Sequence, residues 1–91
     1  MYLEIISPEA KICSGEVSSV SVPGEAGSFQ ILDNHAPIVS NLKQGSIVIE
    51  GDLKVKDEFK YNFLIKNDKA FFKIISGTVE MNKNNLIILC D

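Results

Sequence analysis

The side chains with which this chain could do nucleophilic or metal chemistry are one histidine, His35, and two cysteines, Cys13 and Cys90. Cys13 with His35 is the one Cys–His pair worth considering. A thiol needs a neighbouring base or positive charge to become a thiolate, and nothing in the sequence suggests such activation. A lone histidine cannot hold a metal, and no Cys/His cluster has zinc-ligand spacing. Each cysteine sits in an apolar run, which reads as a buried free thiol, although a disulfide between them stays open at this level. Glu50, Asp52, Asp57 and Glu58 lack the spacing of a calcium loop and read as a solvated acidic edge. Gly24 and Gly27 do not feed a helix, and Glu25 between them has the wrong charge for a phosphate cradle. The expectation is a chain with no catalytic, metal or cofactor site.

The elements that position these residues follow from the pattern. A chain of 91 residues, 45% apolar and with net charge −3, suits one globular domain over 1–91. Nine lysines and no arginine disfavour nucleic acid, for which arginine is the preferred fork. No basic leader precedes an apolar stretch, and no apolar run approaches the ~20 residues of a membrane-spanning helix. The expectation is a soluble protein of a reducing compartment.

The rhythm is period two. Phe59, Tyr61, Phe63 and Ile65 alternate with polar residues and predict a half-buried strand, continuing the phase of Leu53 to Lys56. The runs 46–50, 69–75 and 85–90 are apolar on both parities and read as strands covered on both faces or near a contact surface. Gly51-Asp52, Asn67-Asp68 and Asn82-Lys83-Asn84 are expected turns, with Pro8 and Gly15 as further punctuation. Val17 falls out of phase with Val20 and Val22, which a β-bulge would reconcile. No window favours an amphipathic helix. The pattern predicts an all-β fold, a two-sheet sandwich of short, mostly antiparallel strands, its edges guarded by lysines. A sandwich without an active site is usually an interaction module, for example one that recognises a peptide by strand addition.

The order of motifs adds to this. The segments Leu3–Glu9, Ser14–Val17, Val22–Pro37 and Leu42–Gly45, closed by "SGTVEMNKNNLIILCD", resemble the N-terminal domain of the epsilon subunit of F-type ATP synthase. That family shows, in the same order, an "LEIVTPE" strand, a "SGEV" step, a "VPG..G.F..L..HAP" segment and an "LK.G" turn. Departures are Ser28, where an acidic residue is frequent, Thr78 in place of a second glycine, and a middle hairpin, 51–66, longer by roughly a dozen residues.

The resemblance implies a non-catalytic rotor subunit of a proton- or sodium-translocating enzyme. It would dock on the gamma subunit and on the polar loops of the c-ring, peripheral on the cytoplasmic face of the membrane and held there only through the complex. Glu25, Ser28, Asp33 and His35 are the expected ring contacts. Leu42, Gly45, Ile47, Val79 and Met81 are the expected gamma contacts. His35-Ala36-Pro37 would begin the strand after the turn-rich loop. Because the sequence ends at Asp91, the expectation is also of coupling without the inhibitory helical hairpin or ATP binding of longer members.

Overall fold

A computed structural model describes all 91 residues, Met1–Asp91. Nine strands follow in order: β1 (Tyr2–Ile6), β2 (Lys11–Gly24), β3 (Gly27–Leu32), β4 (Ile38–Leu42), β5 (Gly45–Val55), β6 (Phe63–Lys66), β7 (Lys69–Ile74), β8 (Gly77–Asn82) and β9 (Asn85–Cys90). Every pairing is antiparallel except β1 with β9. The all-β sandwich expectation holds. The two layers, however, are one continuous hydrogen-bonded sheet, ordered β1-β9-β8-β4-β2-β5-β7-β6, with β3 on β2 and β1 also on β2.

Continuity comes from the long strands β2 and β5, which pass from one layer into the other. Their register slips between Val17 and Ser19, so Ser18 is the extra residue and its hydroxyl donates to the Glu50 carbonyl at 3.2 Å. This is the bulge that the valine phase predicts. Gly51, opposite Val17, has φ +144°, and a Cβ there would strike the Val17 backbone. Gly51 and Asp52 are therefore a bend inside β5 and not a turn. Gly15 likewise lies within β2, where the Asp52 carbonyl occupies the space of a side chain. Sharp bending at a bulge is how a strand crosses between layers.

The two-residue turns are as expected. Asn67-Asp68 joins β6 to β7, and Lys83-Asn84 joins β8 to β9, all four with positive φ. That geometry belongs to type I′ hairpins, which suit the strand twist. The segment 59–66 departs from expectation. Asp57–Asn62 forms a 3-10 turn, and the strand begins only at Phe63. Phe59 and Phe63 both reach the core, but Tyr61 is 97% exposed. The Phe63 ring stacks on Phe72 at 4.7 Å between centroids.

One cluster of 20 buried hydrophobic residues fills the space between the layers, including Leu3, Ile5, Val20, Ile47, Val79 and Ile88. Runs with apolar residues on both parities bury one parity and leave the other partly open: Leu86, Ile88 and Cys90 are inside, Leu89 is exposed. No helix is long and apolar enough to cross a membrane.

Candidate docking surfaces

The chemistry-bearing residues do not converge. Cys13 is buried as a free thiol, and burial pushes its pKa up to about 12, against a weaker opposing effect of the Ile5 backbone. Cys90, also buried and free, is pushed up by burial and then by Asp91. A thiol so protonated is no nucleophile at neutral pH. His35 is exposed, with Nδ1 2.7 Å from the Ala36 carbonyl rather than near a thiol. Asp57 pairs with Lys60 at 2.9 Å, and no group of three His, Cys, Asp or Glu side chains converges on a metal position.

What the fold does position is surface. Pro23 and Gly24 lie inside the end of β2, and β3 starts at Gly27, so the loop reduces to Glu25-Ala26, closing a hairpin in which Gly24 faces Gly27. The hairpin is tied to the end of β4 and the residue after it: Glu25 N–H donates to the Asn41 carbonyl at 3.3 Å and Lys43 N–H to the Pro23 carbonyl at 2.8 Å. Pro23 also packs on Gly45, where it fills the place of a Cβ. These ties restrain the hairpin, as its proline does.

The four expected ring contacts separate. Glu25 and Ser28 lie at the hairpin end of β3. Asp33 and His35 follow its other end, about 20 Å away for a strand of six residues. β3 pairs only with β2, so it is an edge, and Ser28, Gln30 and Leu32 are exposed along it. His35-Ala36-Pro37 does not begin a strand; β4 starts at Ile38.

Asp33 has a different occupation. Its carboxylate accepts from the Met1 ammonium and, at 3.2 Å, from the Asn84 side-chain amide. Asn84 Oδ1 in turn accepts from the Asn34 N–H at 2.8 Å. The ammonium also donates to the Val17 carbonyl at 3.1 Å and lies 3.6 Å from Glu16. Hydrogen bonding to the ammonium, then to Asn84, holds the Asp33 carboxyl below the usual carboxylate range. The turn 33–35, with Asn34 at φ +63°, is thereby fastened to β1 and to the β8–β9 turn. Sequence offered no sign of this clamp, since its partners lie 32 and 51 positions apart.

The expected gamma contacts require correction. Leu42, Ile47, Val79 and Met81 have at most 4% exposure and belong to the chain's own core. Their parity points inward, so they have no surface to give a partner; Gly45 is half-buried under Pro23. The outward parity of the same strands does have surface. On β4, β8, β9 and β1, Val39 is 79% exposed, Leu89 49%, and Ile87 half-buried. A broad depression of about 660 Å³ opens on this side, bordered by Ile6, Pro8, Glu25, Asn41, Thr78 and Leu89. The two-parity run 85–90 carries the signal for Ile87 and Leu89, whereas Val39 lies outside every such run.

A family model described as the beta-sandwich domain of the ATP synthase delta/epsilon chain matches residues 1–91, the whole chain. The chain belongs to this family. Named ATP synthase epsilon chains are similar throughout: 34% identity over 91 residues in Campylobacter curvus and 36% over 91 in Leptospira interrogans, covering all of this chain and 60% and 61% of those proteins. The epsilon chain of Maricaulis maris is 41% identical over 54 residues, 59% of this chain and 41% of that one. This delta/epsilon-type sandwich thus spans about three fifths of the length of the full-coverage relatives. Its fold matches a chain from the central stalk and c-ring structure of Tetrahymena thermophila mitochondrial ATP synthase, with a TM-score of 0.69 at 15% identity over 99% of this chain and 62% of that one.

Proposed function

We propose that this chain is the sandwich portion of a non-catalytic rotor subunit in an ion-translocating F-type ATP synthase, docked between gamma and the polar loops of the c-ring. The observation that carries the reading is the family match across all 91 residues. The geometry supports two surfaces, which adjoin at Glu25. The ring side uses the β3 edge with the restrained Glu25-Ala26 hairpin at one end and His35 at the other, and Ser28 between them. Asp33 acts indirectly, by holding the 33–35 turn in place through Met1 and Asn84. The gamma side uses the outward face of β4, β8, β9 and β1, with Val39 and Leu89 as apolar anchors.

A rotor contact transmits torque without doing chemistry. What it needs from this chain is a backbone that does not yield, so little ordering entropy is lost on docking. The ties from Pro23, Glu25 and Asp33 supply that. The subunit is then peripheral on the cytoplasmic face and reaches the membrane only through its partners. Tagged protein is expected to retain gamma and c-subunits from detergent-solubilised membranes. Retention of neither by folded protein would overturn the reading.

A further inference from the structure

The sandwich is open on one side. β6 ends its layer, pairing with β7 and with nothing beyond. The far half of β5, residues 51–55, pairs with β2 alone, because β7 reaches only to Ile49. Between these two unpaired edges lies a groove of about 490 Å³, with Leu53 and Val55 on one wall, Phe63 and Ile65 on the other, and Lys54 and Lys60 beside it. Ile65 is 67% exposed and Leu64 63%. Three consecutive apolar residues on a free edge are unusual, since edges are normally blunted against pairing. The charge lining the groove is of one sign: Lys54 and Lys60 border it, the latter also paired with Asp57, and no carboxylate does. Along the segment from Leu53 to Lys73 six lysines accompany three carboxylates, a local +3 in a chain of net −3.

We infer that this groove accepts an extended polypeptide segment of alternating aliphatic and acidic residues, which adds to β6 as a further strand. The main chain of the segment would bond the free N–H and C=O groups of β6. Its aliphatic side chains would continue the inner layer over Phe63 and Ile65, and its carboxylates would meet Lys66 and the lysines beside the groove. The charge sets the choice of occupant. A second copy would bring its own +3 against the same surface. A lipid surface has no backbone groups to pair with a strand edge. The inference is independent of the rotor reading, because it concerns a side of the sandwich that neither proposed rotor surface uses.

The test is an amide-resolved NMR titration of the 91-residue chain with a ten-residue peptide alternating valine and glutamate, ends capped. Shifts are expected at residues 53–55 and 63–66. A valine–lysine peptide should bind at least tenfold more weakly. Ile65→Lys, and separately the pair Lys54→Glu/Lys66→Glu, should each weaken the glutamate peptide at least tenfold. All three positions are exposed, so the spectra elsewhere should stay unchanged. The inference is overturned by no shifts at millimolar peptide, by equal binding of the lysine peptide, or by shifts elsewhere. It is equally overturned if the same amides move on raising protein concentration alone, or if they respond to phosphatidylglycerol vesicles and not to the peptide.

Discussion

Val39→Lys separates a docking face from a core position. Val39 is 79% exposed and sits directly across from Glu80 on β8. A lysine there gains an opposite-charge cross-strand neighbour, so stability should change by no more than about 0.5 kcal/mol. Docking is another matter. If gamma covers the exposed four fifths of the valine, that burial is worth about 1.2 kcal/mol, taking the low figure of ~1.5 kcal/mol for a whole valine. An ammonium driven into that contact adds a desolvation cost, bringing the total to at least ~2 kcal/mol, a loss of about 30-fold in affinity. Val79→Ala is the counterpart: it opens a cavity at a position with no exposure, costing about 2 kcal/mol of stability and leaving the affinity of folded molecules unchanged. Calorimetric titration against isolated gamma, with thermal unfolding in parallel, reads both. Wild-type affinity in folded Val39→Lys, or lost affinity in folded Val79→Ala, would refute the assignment of faces.

Three further outcomes are expected. Asp33→Asn should lower the melting temperature at pH 7; because the folded carboxyl is held below its ordinary value, its contribution is present above the unfolded pKa and lost as pH falls through the folded one, so the variant's acid-side profile should be flatter, and superimposable profiles would exclude the clamp. Gly51→Val should destabilise by about 3 kcal/mol or more in denaturant titration, since it strains a left-handed φ and forces a Cβ onto Val17; a loss under 1 kcal/mol would remove the bend as a constraint. Cys13 and Cys90 should resist an aromatic disulfide reagent at pH 8 until denaturant is added, and prompt labelling of folded protein would contradict their burial.

Which features were legible follows from their range. The Asn67-Asp68 and Lys83-Asn84 turns are written in residues that tolerate positive φ, and the bulge is written in the valine phase, so local chemistry sufficed. Phe59 to Ile65 misleads because Phe59 and Phe63 both reach the core and so share a parity, although a 3-10 turn and not a strand joins them. The turn over Asp57–Asn62 directs Tyr61 to solvent, and Phe63 re-enters the core as the first residue of β6. The expected gamma contacts run against the pattern: Val79 and Met81 alternate with polar Thr78, Glu80 and Asn82, which already marks them as the inward parity. Only Ile47 lies in a run apolar on both parities, where period two cannot say which face is inside. The Met1–Asp33–Asn84 clamp needs three distant segments together, and no short-range pattern encodes it.

Photo-cross-linking in native membranes reads which partner each face meets. A benzophenone side chain replaces Ser28 on the β3 edge or, in a second variant, Val39 on the outward face of β4. An adduct with a c-subunit polar loop is expected from the first position and with gamma from the second, each absent from the other. Adducts with neither partner, or the same partner from both positions, would contradict a sandwich that bridges ring and shaft through two distinct faces.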